Sequence, residues 1–365
     1  MKIFYSCSRI CFLVMTMRTL NVPCLEYTED SAKMRESLIQ ALTDNGVCVV
    51  KLYRNDEKDF NGKTECWEKL MKCEELGTPC GAKGNSLVKN NGIAMHPSVM
   101  EIRLDSRAKQ VYSCIYDMDD DLSVSLDAVG FQSQHAVYPV RKRRVNTAKD
   151  QYELETNLSS VALHIDVGYG TTGREMEERM AAKGFSFPFS IQSQILCQDS
   201  IPGGAAFVAV PGNYIKDDSH LSFFDVSNTM RDHCQCTDEG YAFFEKRWGC
   251  VAAEAGDLIL WLSRTPHGNK LADYFTSPSR RSVMICWSPR SVCTEQELLT
   301  SKQKKIKCIQ TGGSMTHWPL LPALSNKILS GGWHYSDRSH QTPCLYKFSA
   351  PDYGPDLQKA LLAAL

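Results

Sequence analysis

The chain reads as a mainly β protein with surrounding helices, built on a double-stranded β-helix (jelly-roll, cupin-like) core. Three observations carry that expectation. Short apolar runs of strand length recur between Leu122 and Trp287, separated by turns rich in Gly, Pro, Asn and Asp. A layer of amphipathic helical patterns precedes them, between Thr28 and Tyr116. The 365 residues, 43% hydrophobic and 23% charged, can bury a sizeable core and have an ordinary soluble composition. Helices followed by many short strands suit a barrel wrapped by helices.

The first helix is expected over 28–42. Thr28, Asp30 and Ser31 supply capping groups, Met34, Leu38, Ile39 and Leu42 fall at helical spacing, and Asp44-Asn45-Gly46 ends it. Val47-Cys48-Val49-Val50 is a short buried strand. A second helix is expected over 63–76, before the loop 81–85. Two more follow, over 97–104 and 109–116. The period then changes to two: Ser123, Ser125 and Asp127 share one strand face. Strands are expected over 160–167, 190–197, 205–210, 258–262 and 280–287. A loop at 168–173 leads into a polar helix over 174–183. Residues 223–247 are mixed. Beyond Pro289 the pattern loses regularity until a final helix at 356–362. The chain is expected to divide into a helical and strand layer (1–119), a core (120–290) and an extension (291–365), all in one integrated domain.

The motif of interest is His164-Ile165-Asp166. In a strand, residues two apart point the same way, so an imidazole and a carboxylate stand side by side. A His-x-acid pair arises about once by chance in a chain with nine His and 42 acidic residues. Taken singly, His164 reads as a satisfied core histidine, and His267, after Pro266, as a loop histidine. Taken together, His164, Asp166 and His267 match two histidines and a carboxylate on one face of a metal, the arrangement of non-haem Fe(II) oxygenases. Arg280 and Arg281 both follow at a spacing that allows one to enter the barrel. Arg280 shares its stripe with Ser282, Met284 and Cys286, whereas Arg281 shares its own with Val283, Ile285 and Trp287, an outer apolar face; Arg280 is therefore the inward candidate. Gln192, Gln194, Ser125 and Asp127 are candidates to line the cavity or to make structural hydrogen bonds. His96, His135, His220, His317, His334 and His340 read as structural or surface residues.

The order of these pieces resembles the phytanoyl-CoA dioxygenase-like family of Fe(II)/2-oxoglutarate oxygenases. It runs His164-x-Asp166, the strand between Gly203-Gly204 and Pro211-Gly212, Ala255-Gly256-Asp257 with its apolar strand, His267-Gly268-Asn269, and Arg280. The likeness covers residues 120–290 well, the N-terminal helices loosely, and fades after about 300. Pro211-Gly212-Asn213-Tyr214 departs from the family's usual Pro-Gly-Ser-His. The resemblance implies that His164, Asp166 and His267 bind Fe(II) and that Arg280 holds the distal carboxylate of 2-oxoglutarate; Gln192, from its place on the strand, is the second candidate for binding the cosubstrate. It also implies that O2 is consumed, 2-oxoglutarate becomes succinate, and a small organic substrate is hydroxylated. The alternative is a non-catalytic jelly-roll binding protein.

Composition bounds the partners. A formal net charge of −1 provides no global field toward nucleic acid or an anionic membrane, and the run 141–144 reads as a solvated basic loop. No stretch of 18 apolar residues offers a membrane span. Sixteen cysteines lack the dense spacing of a disulfide scaffold and read as reduced thiols. Cys66, Cys73 and Cys80 form a helical stripe, and His233-Cys234-Gln235-Cys236 lacks a second ligand pair for zinc. The N-terminus is only weakly signal-like, and Met17 serves equally well as a start. A cytoplasmic monomer or weak homo-oligomer acting on a small molecule is expected.

Overall fold

The computed structural model describes residues 18–53, 87–88, 93–132, 142–146, 151–154, 163–166, 171–214, 218–225, 233–270, 280–311, 313–320 and 353–365. The helix expected over 63–76, the cysteine stripe, the loop 81–85 and His135, His334 and His340 lie outside them.

Strand β1 (Cys24–Glu26) leads into helix α1 (Ser31–Asn45) and strand β2 (Val47–Lys51). The Asp30 side chain accepts from Lys33 N and caps α1, three residues later than expected. Gly46 ends the helix at φ 67°, and its own N–H bonds the Leu42 carbonyl. A side chain there would meet Thr265 Oγ1 at 2.5 Å, so this turn is built for glycine. Strand β3 (Leu87–Val88) is followed by helices α2 (Pro97–Arg103) and α3 (Ser106–Tyr116). Pro97 opens α2 without loss of a bond, because the first helical N–H groups have no partner within the helix. Asp105 caps α3 through Arg107 N and Ala108 N.

Strands β4 (Leu122–Val124), β5 (Val129–Gln132), β6 (Lys142–Asn146), β7 (Gln151–Leu154) and β8 (His164–Ile165) come next. Most of the basic run is therefore in a strand, β6, paired with β7, rather than in a loop. Helix α4 (Thr171–Ala182) starts inside the expected loop. Strands β9 (Ile191–Leu196), β10 (Ala206–Ala209) and β11 (Cys234–Gln235) precede helix α5 (Asp238–Phe244). Then follow β12 (Gly249–Cys250), β13 (Asp257–Leu262), β14 (His267–Lys270), β15 (Arg280–Ile285) and β16 (Trp287–Pro289). The expected strand over 280–287 is split at Cys286. Its N–H goes to Ser125 Oγ and its carbonyl accepts from Ser125 N, which carries the chain out of one sheet and into the β16–β4 pair. Helices α6 (Glu295–Thr311) and α7 (Gly354–Ala364) complete the described elements.

Seven strands form one sheet in the order β1-β2-β13-β9-β15-β5-β3, and five form another, β11-β8-β14-β10-β12. Alternation along the strands of the larger sheet divides its residues between two layers. Cys48, Val50, Ile191, Ile195, Leu258, Leu260, Val283 and Ile285 join α1, α3 and α4 in the main core. Each such side chain contributes about 1.5–3 kcal/mol when fully buried. The opposite face presents Val47, Val49, Leu196, Ile259, Trp261 and Met284, which pack with Phe207 and Ala209 of β10. The two sheets therefore face each other, and the space between them is where the candidate site lies.

Candidate metal and anion site

β8 and β14 are antiparallel neighbours, and their register sets His164 opposite His267. The two rings lie 4.5 Å apart. Asp166 stands just past the end of β8, where its N–H is held by the Ser263 carbonyl at 2.8 Å. Its Oδ2 is 3.1 Å from His267 Nε2, and its Oδ1 is 3.8 Å from His164 Nε2. One ligand atom from each of the three residues lies within 4.8 Å of the others, and among the described residues no other group of His, Cys, Asp and Glu converges in this way. His267 was legible as a residue but not as part of a strand; pairing with β10 and β8 makes it one.

The surroundings orient these groups. His267 Nδ1 is 2.8 Å from the Thr265 carbonyl. A carbonyl can only accept, so Nδ1 carries a proton, which leaves Nε2 as the nitrogen turned toward Asp166 and the one a metal would take. Gln192 Nε2 donates to Asp166 Oδ2 at 2.8 Å. Burial disfavours the Asp166 carboxylate, but the neighbouring histidines His317, His164 and His267 outweigh it and hold the group well below the ordinary carboxylate range. Asp166 is thus an anion, as a metal ligand must be.

Arg280 is on the inner stripe of β15, 3% exposed, whereas Arg281 is partly exposed. Arg280 Nη2 donates to Gln194 Oε1 at 2.7 Å. Its Nε and Nη1 are buried with no hydrogen-bond partner among the described residues. Burial pulls its pKa down to about 9, and no carboxylate among the described residues offsets that cost. Across the ladder, Ser282 faces Gly130. A side chain at Gly130 would meet Ser282 Oγ at 2.3 Å and Arg280 Cζ at 3.3 Å, so the glycine leaves the guanidinium its room. Strand β9 links the two centres: Gln192 holds Asp166 and Gln194, two residues on and on the same face, holds Arg280. That spacing is about 7 Å.

Other residues singled out in the sequence make structural bonds. Ser125 and Asp127 make the kind of hydrogen bond that was the alternative to lining the cavity: Ser125 Oγ accepts from Cys286 N, and Asp127 Oδ1 accepts from Ala128 N at 2.6 Å. His96 caps α2, and His220 Nε2 is 3.1 Å from the Arg264 carbonyl. Cys234 and Cys236 are free thiols that burial pushes up to about 11 and about 12, so neither is ready to bind zinc as a thiolate. His233 stacks edge-on to His164, ring centroids 5.7 Å apart. His317 is partly buried, with its ring 5.9 Å from that of Trp318.

The donor set fits Fe(II): two imidazole nitrogens and one carboxylate leave coordination positions open. The partnerless donors of Arg280 fit a carboxylate, which a guanidinium grips with two parallel bonds. Both features suit iron and a dicarboxylic cosubstrate together.

No protein-family model and no curated protein sequence matches the chain. Solved structures with a similar fold include GlcNAc Inducible Gene 2, GIG2 (DUF1479), from Candida albicans. It aligns with 94% of this chain and 83% of its own at a TM-score of 0.50 and 12% identity. A putative oxidoreductase from Salmonella typhimurium LT2 aligns over 86% and 82% at 0.51 and 11% identity. The epimerase SnoN, crystallised with Fe3+, alpha ketoglutarate and nogalamycin RO, aligns over 70% and 83% at 0.45 and 12% identity. At such identities the first two show a shared fold and nothing finer. No helix among the described residues is long and apolar enough to cross a membrane.

Proposed function

We propose that this chain is an Fe(II)/2-oxoglutarate-dependent dioxygenase that hydroxylates a small organic substrate, with a double-stranded β-helix core. One observation carries the reading: a buried guanidinium without an anionic partner is joined through β9 to a converging His-Asp-His triad. A metal hydrolase needs the triad but has no use for a buried arginine beside it.

His164, Asp166 and His267 are the residues that would hold the metal, and Arg280 would hold the distal carboxylate of the cosubstrate. When bound, iron and 2-oxoglutarate supply the oxidising power drawn from O2, with succinate as the co-product. The protein's own part is placement. Thr265 fixes the His267 tautomer, and Gln192 fixes the Asp166 carboxylate. Gln194 aims the Arg280 fork, leaving its other N–H groups for the ligand. Leu196, Phe207, Trp261 and Met284 keep the space between the sheets apolar, which excludes water and strengthens each charge pair within it.

The test is a pair of titrations on protein loaded with Mn(II), an inert stand-in for Fe(II). Arg280→Ala should bind 2-oxoglutarate at least tenfold more weakly and bind Mn(II) as the wild type does, since hydrogen bonds to a charged group are worth about 1.5–3 kcal/mol. Equal cosubstrate affinity in the two proteins would refute the assignment.

A further inference from the structure

Two of the three converging residues are held by one turn. The turn 263–265 joins β13 to β14 and is closed by Thr265 N on the Leu262 carbonyl. The Ser263 carbonyl takes the Asp166 N–H, and the Thr265 carbonyl takes the His267 Nδ1 proton, each at 2.8 Å. Arg264 lies between them, and its side chain is tied down. Nη1 pairs with Asp218 at 2.5 Å, and Nη2 lies 3.5 Å from Glu177 Oε2 on α4. Its Cζ sits 4.8 Å from the centre of the Phe189 ring. The Arg264 and Glu177 side chains are largely enclosed, at 18% and 14% exposed, whereas that of Asp218 is 63% exposed. Arg264 Nε and Glu177 Oε1 are sealed and have no hydrogen-bond partner among the described residues. Enclosing a pair that is left partly unsatisfied costs desolvation that its attraction does not fully return, so stability alone is a weak reason for it.

We propose that Arg264 is a positioning residue for the metal centre, anchoring the turn 263–265 to α4 through Glu177 so that the two carbonyls of the turn keep Asp166 and His267 in ligand geometry. The proposal rests on the metal-site reading and extends it to residues outside the triad. Without the anchor the turn is free to shift, and both ligands shift with it; a ligand that is oriented less firmly binds metal more weakly. The anchor also responds to pH. The charged groups that act on Glu177 are Arg264 of the turn, Asp218 before the short helix Ser219–Phe223, and Arg174 of its own helix. Burial, aided by Asp218, outweighs the two arginines and pushes the Glu177 carboxyl up to about 7. Below that pH Glu177 is a neutral acid and holds Arg264 weakly; above it the two are an ion pair and the anchor is complete.

Mn(II) affinity is measured for wild type, Arg264→Ala and Glu177→Gln by competition with a fluorescent chelator, at about pH 6 and about pH 8, either side of the Glu177 value. Protonation of the ligand histidines weakens all three proteins alike at the lower pH, so the ratio to wild type isolates the anchor. Arg264→Ala should bind Mn(II) about tenfold more weakly at about pH 8, the low end of what losing a partner of a metal ligand costs. Glu177→Gln resembles the protonated acid. It should match wild type at about pH 6 and bind about threefold more weakly at about pH 8, the scale of a partly exposed ion pair. Wild-type affinity in Arg264→Ala at both pH values overturns the proposal and leaves the metal site standing. Weaker binding in Arg264→Ala without a pH-dependent deficit in Glu177→Gln makes Arg264 merely structural and also overturns it. If Arg264→Ala does not fold, the pH dependence of Glu177→Gln decides alone. A wild type that binds no Mn(II) overturns the metal-site reading, and the proposal with it.

Discussion

A buried cation without a counter-charge is unstable on its own, and Arg280 is kept in that state by two neighbours. Gly130 leaves room for it, Gln194 satisfies one of its nitrogens, and Nε and Nη1 have no partner among the described residues. Arg280→Lys would keep the charge but lose the planar fork, so 2-oxoglutarate affinity should fall between those of wild type and Arg280→Ala, as the same titration would show. On the proposed reading Gln192 would act one step from the metal. Its replacement by Ala removes the donor that orients Asp166 Oδ2. Metal affinity should drop about 10- to 100-fold, the usual cost of losing such a partner. A competition titration with a fluorescent chelator reads this directly, and unchanged affinity would mean that Asp166 is held well enough by the histidines alone.

At the scale of elements, α4 and α6 are stapled by charge. Arg179 of α4 bonds both carboxylate oxygens of Glu297 at 2.9 and 3.0 Å. Hydrogen bonding from Arg179 is the main reason that the Glu297 pKa falls to about 2. The folded value lies below the ordinary 4.5, so the pair stabilises the fold fully above that pH and loses its contribution as pH falls toward about 2. Wild type should therefore lose more stability than Glu297→Gln between pH 5 and about 2. Parallel urea melts over that range would expose any failure, which would appear as equal slopes. The same helix marks where the sequence was hardest to read. A capping box at its start, Thr294 with Glu297, was present in the chain and makes the reciprocal bonds expected of it. The apolar stripe behind it is broken, because the helix buries Ser301 and Lys305. Lys305 Nζ is satisfied by Ser123 Oγ and the Val124 carbonyl, a tertiary arrangement that periodicity does not reveal. By contrast, β2, β9 and β13 were legible because each buries both faces and reads as an apolar or alternating run. His164 and Asp166 were legible as a spacing, and Arg280 as a member of the inner stripe.

At the scale of the whole molecule, two facing sheets hold the triad on one side and the arginine on the other. This arrangement bears on the outcome of the reaction. Halogen transfer needs an open metal position for chloride, and on the proposed reading Asp166 would take that position with a hard oxygen ligand. Reaction mixtures that contain chloride should yield hydroxylated and not chlorinated product, and a chlorinated product from the unmutated protein would refute the ligand role of Asp166. The central claim is tested most directly by succinate. Fe(II)-loaded protein, supplied with O2 and 2-oxoglutarate, is offered a library of small metabolites, and succinate is measured against an Asp166→Ala control. The account predicts that at least one compound raises succinate release in the wild type well above the control. Succinate at the control level for every compound, in protein that binds both metal and 2-oxoglutarate, would contradict it.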